Sequence, residues 1–118
     1  DGMRRFGGHA IGVERGEVVL FSDFETGGAM WDGEGPRQSR TWVHFPEPFL
    51  DVPAVMLALS MWDISNGANA RADVLPEDIA RDGFAILFRT WGDTRIARVR
   101  VSWTALGPVR AEEAWEVS

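Results

Sequence analysis

Apolar and polar side chains alternate with a period of two along most of this chain. Between residues 37 and 45, Val43 and Phe45 fall on one side and Arg40, Trp42 and His44 on the other, the pattern of a strand with one buried face. Pro46 and Pro48 end it, because proline has no N–H to give a ladder. Asp51-Val52-Pro53 turns into a stronger strand over 54–62, with Val55, Leu57, Leu59 and Met61 opposed to Ala54, Met56, Ala58, Ser60 and Trp62. Phe84, Ile86 and Phe88 alternate with Ala85, Leu87 and Arg89, up to Trp91. Over 95–105, Val99, Val101, Trp103 and Ala105 oppose Arg98, Arg100, Ser102 and Thr104. Residues 17–24 are rich in β-branched and aromatic residues and read as another strand, and 70–75 as a short one. The intervals carry turn chemistry: the glycine-rich loop Glu25 to Gly35, Ser65-Asn66-Gly67, Asp82-Gly83 and Gly92-Asp93, with a helical turn or bend at Pro76-Glu77-Asp78. About six strands at this spacing predict an all-β sandwich or barrel, in which 84–91 and 95–105 pair as a hairpin across Gly92-Asp93. The glycine-rich opening, 7–12, reads as irregular. Residues 111–116 have helical propensity in a stretch too short to hold alone.

Composition narrows the chemistry. A length of 118 residues is one domain. A net charge of −6 argues against non-specific nucleic-acid binding, and no run of apolar residues is long enough to span a membrane as a helix. With no cysteine there are no disulfides, thiolate metal sites or cysteine nucleophiles. All 12 basic residues are arginine, so lysine Schiff bases and a phosphate-binding lysine are absent too. His9 and His44 are too far apart for a metal motif, and the acids are not spaced as a Ca²⁺ loop. No Gly-x-Ser-x-Gly elbow is present, and the acidic neighbours Glu77-Asp78 and Glu112-Glu113 send their side chains apart. The reading is a non-enzyme that uses no metal and no cofactor. Met3-Arg4-Arg5 is not followed by an apolar core, so cytoplasmic residence is the default expectation. The arginine-only usage fits a G+C-rich genome. The six tryptophans are not explained that way, and tryptophan is among the residues that supply binding hot spots.

A set of residues in order then stands out: Pro53-x-Val55, Asp63, Asn69-x-Arg71, Gly83-Phe84, Thr90-Trp91 and Val101-Ser102-Trp103-Thr104-Ala105. This set resembles the H-type lectins, the family of snail agglutinins and slime-mould discoidin C-terminal domains. The resemblance implies a six-stranded antiparallel β-sandwich over 16–107, between an irregular segment at 1–15 and a tail at 108–118. It also implies a homotrimer that binds GalNAc or galactose-type carbohydrate in shallow sites where protomers meet. Arg71 takes the place of the family's sugar-binding arginine, and Trp91 that of an aromatic residue packing on the sugar. Gly92 stands where the snail agglutinin has a hydrogen-bonding histidine, and Asp93 follows as a substitute. The family's loop aspartate falls on Glu34 or, with a small shift, on Asp32.

These residue types suit a sugar. The C–H face of a pyranose stacks on an indole, a carboxylate accepts from neighbouring hydroxyls, and the arginine fork donates to the same oxygens. Each has a plainer alternative: Trp91 as a cap on the core, Arg71 as an ion-pair partner, Asp93 as a turn residue. Trp103 belongs to the core and Trp31 anchors a loop. Trp42 is exposed or at an interface, with His44 beside it, and Trp62-Asp63 is a second recognition pair or a strand-end turn. Arg98 and Arg100 share one strand face, which is solvated in a monomer and close to the axis in a trimer. The competing expectation is a structural or protein-interaction oligomer that keeps the fold without a working sugar site.

Overall fold

A computed structural model describes residues 2–23 and 27–111. Six strands and one helical turn follow in order: β1 (Ala10–Ser22), α1 (Ala29–Asp32), β2 (Arg37–His44), β3 (Ala54–Ile64), β4 (Asp73–Ala80), β5 (Gly83–Thr90) and β6 (Ile96–Val109). They form two three-stranded antiparallel sheets, ordered β1-β6-β3 and β2-β5-β4, packed face to face as a six-stranded antiparallel β-sandwich. The alternation in the sequence is the cause. Phe84, Ile86 and Phe88 of β5 meet Val99, Val101, Trp103 and Ala105 of β6 in one core. The Phe84 ring lies edge-on to Trp103 at 5.6 Å, and Phe88 edge-on to Phe21 at 5.5 Å.

The expected hairpin between 84–91 and 95–105 does not form. β5 pairs with β2 and β4, and β6 with β1 and β3. The Gly92-Asp93 turn carries the chain from one sheet to the other. Both strands are central in their sheets, and their apolar faces are buried against each other across the sandwich, which side-by-side pairing would forbid. The hairpin that does form joins β4 to β5 through Arg81-Asp82.

Two boundaries and one expected bend also differ. The irregular segment expected over 1–15 is already strand from Ala10, because Ala10 pairs with Val109 and the ladder runs unbroken to Val19. Gly16 makes room within the strand: a Cβ there would lie 2.5 Å from the Trp103 ring. β6 continues through Gly107-Pro108 to Val109, so the tail starts later than residue 108. Pro76 sits inside β4 rather than in a bend, which an edge strand tolerates because one side of its ladder is unpaired. The irregularity falls just after it, between Glu77 and Ala80, where Asp78 has φ 49°. The helical stretch expected to run on to residue 116, and Trp115, lie outside the described residues.

β5 is buried on both faces. Ala85 and Leu87 lie on the side away from the core, yet Ala85 is 0% exposed. Trp42, opposite Ala85, and Arg40, opposite Leu87, cover them from β2. Arg40 reaches across to Glu77 at 3.5 Å and to Asp78.

Candidate functional site

The antiparallel topology brings the end of β1, the start of β2, the end of β3, the start of β4, the end of β5 and the start of β6 to one rim. The rim is closed by the loop from Gly27 to Pro36, the segment 65–72 and the turn 91–95. Arg71 lies at its centre. Its Nη1 donates to Asp93 Oδ1 at 2.5 Å and to Thr94 Oγ1 at 3.4 Å. Two buried hydroxyls fix the backbone beneath: Thr90 Oγ1 donates to the Arg71 carbonyl at 2.6 Å, and Thr94 Oγ1 donates to the Asn69 carbonyl. The hydrogen bond from Arg71 holds the Asp93 carboxyl below the usual carboxylate range.

Gly92 has two reasons to be glycine. Its φ of +70° lies in the left-handed region, and a Cβ would sit 2.9 Å from Arg71 Nη1. The guanidinium therefore occupies the space that a side chain at 92 would enter. The turn has no histidine because its backbone and Arg71 leave no place for one.

The loop is pinned by two arginines that sequence reasoning did not single out as site residues. Arg37 donates to the carbonyls of Gly35, Ala29, Met30 and Gly92 at 3.0–3.2 Å, tying α1 to the 91–95 turn. The Gly35 N–H bonds the Gly92 carbonyl at 3.0 Å. Arg95 lies over the Trp31 ring at 4.5 Å, donates to the Trp31 carbonyl at 2.9 Å, and approaches Asp32 at 3.7 Å. Trp31 thus anchors the loop, as expected. The only sequence signal for Arg37 was its position, the first residue of a strand after a glycine-rich loop.

The six candidates separate accordingly. Arg71, Gly92 and Asp93 come together. Asp32 is engaged with Arg95. Glu34 is exposed and adjoins Gly35, whose amide bonds Gly92, so it is the loop carboxylate nearer along the chain to the Arg71–Asp93 pair. Trp91 is 45% exposed and turns onto the outer face of the β2-β5-β4 sheet. There it lines a cleft of ≈ 550 Å³ with Gln38, Asp73 and Arg89. A second cleft, ≈ 430 Å³, opens on the other side of the rim between Trp31, Ser65 and the Asp63–Arg98 ion pair. Among the described residues, no group of His, Asp and Glu could hold a metal ion, and no helix is long and apolar enough to cross a membrane.

A two-sheet sandwich with an arginine–carboxylate pair and an exposed indole at one rim is a lectin-like fold. Residues 40–106 match the model of the H-type lectin domain, and the chain belongs to that family. A protein of Fuscovulum blasticum described as "ATP synthase subunits region ORF 7" is 54% identical over 110 residues, covering 93% of this chain and 96% of that protein. Structures of recombinant and wild-type discoidin II from Dictyostelium discoideum superpose with a TM-score of 0.75 at 24% identity, over 91% of this chain. The match spans 40% of the discoidin II chain, and at that identity the likeness establishes the fold.

Proposed function

We propose that the protein is a non-catalytic carbohydrate-binding protein, multivalent through a homotrimer, for sugars of the galactose or GalNAc type. The observation that carries this reading is the rim itself, in a chain of the H-type lectin family. Arg71 and Asp93 present a donor fork and an acceptor side by side, with the Trp91 indole exposed on the next residue but one. Trp91 lines its own cleft on the outer sheet face, where Gln38, Asp73 and Arg89 supply the polar groups that a pyranose needs beside an indole. The site is shallow, so single-site affinity is weak, and three copies raise it through effective concentration.

The outer face of the β1-β6-β3 sheet supports the oligomer. Ile11, Val13 and Val19 of β1 and Met56 of β3 are exposed there, the last at 57%. Such a row is unusual on a face open to water. Arg98 and Arg100 share this face but are partnered within the protomer, by Asp63 at 3.5 Å and Glu17 at 3.1 Å. Three copies would bring neutral pairs, not bare charges, toward an axis.

Two measurements test the proposal. Light scattering should give three times the 13.1 kDa chain mass. A glycan array should report galactose-type binding that Arg71→Ala abolishes, and no wild-type binding to any glycan would sink it. The second reading is an assembly protein with the same fold and no working sugar site. Gly92 favours it, since it offers no side-chain donor, and so does the internal use of Arg71 by Asp93. A glycan-silent trimer that recovers a stoichiometric protein partner would decide for it.

A further inference from the structure

We infer that the outer face of the β2-β5-β4 sheet is an extended strip for a neutral, linear oligosaccharide, running from Trp91 at the rim to Trp42 near the far end. The inference rests on the lectin reading and adds the class of ligand. Trp42 and Trp91 are 44% and 45% exposed. They are on the same sheet face: Trp91 lines its cleft with Gln38, Asp73 and Arg89, and Trp42 continues the Gln38–Arg40 row of β2. Thr90 is opposite Arg37 and Ala85 opposite Trp42. The five intervening steps of β2 put the two tryptophans about 17–20 Å apart at the usual rise per residue, longer than one pyranose.

The ground between them is mostly polar, with the Leu75–Leu87 pair at its base. Gln38 is exposed, the Arg89 fork lies on Asp73, and Arg40 spans to Glu77 and Asp78. Amide, guanidinium and carboxylate groups arranged along a sheet suit rows of hydroxyls, while an indole at each end suits C–H faces. A protein partner is the poorer fit, because the centre of a stable interface is depleted in charge, and here the centre is ion pairs. An acidic glycan fits poorly too: Arg40 and Arg89 are already held by carboxylates and Arg37 by backbone carbonyls, in a chain of net charge −6.

Trp42 is held for this role. A Cβ on Gly83 would lie 2.8 Å from its ring, so the glycine lets the indole rest against the backbone. His44 supports its edge at 6.2 Å.

The test is an array of neutral linear oligosaccharides, each series running from mono- to hexasaccharide, with sialylated and uronic-acid-containing chains beside them. The wild type should bind at least one neutral series about tenfold more tightly at tetrasaccharide length than as the monosaccharide, the gain expected of one added aromatic contact. Trp42→Ala should bind the tetrasaccharide no better than the monosaccharide, and Trp42→Phe should restore part of the gain. Circular dichroism melts of both variants keep loss of folding apart from loss of binding. Length-independent binding by the wild type, a length gain that survives in Trp42→Ala, or a preference for acidic chains would overturn the strip and leave the lectin reading standing. No binding to any spot would overturn both.

Discussion

Replacing Gly92 separates backbone strain from the chemistry of the rim. Gly92→Ala puts a Cβ at φ +70° and 2.9 Å from Arg71 Nη1. A left-handed conformation costs a non-glycine residue about 1–2 kcal/mol. The contact adds less to stability, because the far end of an arginine can swing away and the pair it leaves is solvent-exposed, worth about 0–1 kcal/mol. The backbone term therefore dominates stability, whereas the arginine term dominates the site. In a chain of this size, 1 kcal/mol moves Tm by about 3–6 °C, so the alanine variant should melt about 3–12 °C below wild type. Gly92→Asn is the discriminating partner. Asparagine tolerates the left-handed region, so it should recover much of the lost stability while displacing Arg71 just as alanine does. Thermal melts give the first quantity, and glycan affinity with the Asp93 carboxyl chemical shift gives the second. Equal melting points for Ala and Asn would refute the backbone argument. An unmoved Asp93 resonance in both would refute the argument about Arg71.

Three further outcomes follow from the geometry. Gly16→Ala should destabilise the fold by about 1–3 kcal/mol, the usual cost of overpacking, because its Cβ lies 2.5 Å from the Trp103 ring; an unchanged urea midpoint would show that the ring has room to move. The Arg71–Asp93 link should be intact at neutral pH and fail on acidification, since a carboxyl held below its ordinary value stabilises above that value and loses its effect as pH falls through the lowered one; an NMR titration of Asp93 with an unshifted midpoint would contradict it. Met56→Arg, on the exposed apolar face of the β1-β6-β3 sheet, should lower the assembly mass toward that of one chain without lowering the content of strand, and an unchanged mass would place the interface elsewhere.

The strands with one wet face were legible from alternation. β2, β3 and β6 show it because most of their outward positions are polar or small, as Arg40, Ser60 and Ser102 are, with Trp42 and Met56 the large apolar exceptions. The pairing of β5 was not legible. Its apolar positions fill both faces, and short turns usually join neighbours in one sheet, so nothing local distinguishes a crossing between sheets from a hairpin. β1 was half-hidden for the opposite reason: the opening up to Gly12 read as irregular, when the missing side chain of Gly12 is what leaves room for Val109. Of the site, Arg71 and Gly92 came from ordered resemblance rather than from pattern. Arg37 and Arg95 went unseen as site residues because their work is to cap carbonyls brought close by folding, which leaves no spacing in the chain.

The crossing turn explains why these residues meet. Because 91–95 runs between sheets, Thr90 before it and Thr94 within it both face inward, and their buried hydroxyls hold the carbonyls of Arg71 and Asn69. A hairpin turn would have left those carbonyls to solvent and the arginine with no fixed origin. The guanidinium is instead delivered over Gly92 and against Asp93, while Arg37 draws the 27–36 loop down onto the Gly92 carbonyl. The core and the rim are thus fixed by the same few hydrogen bonds, and the side chains at 34, 91 and 93 project from a backbone that does not depend on them. Substitution at those three positions should change what is bound at little cost to folding, whereas substitution of Thr90 or Thr94 should damage both together.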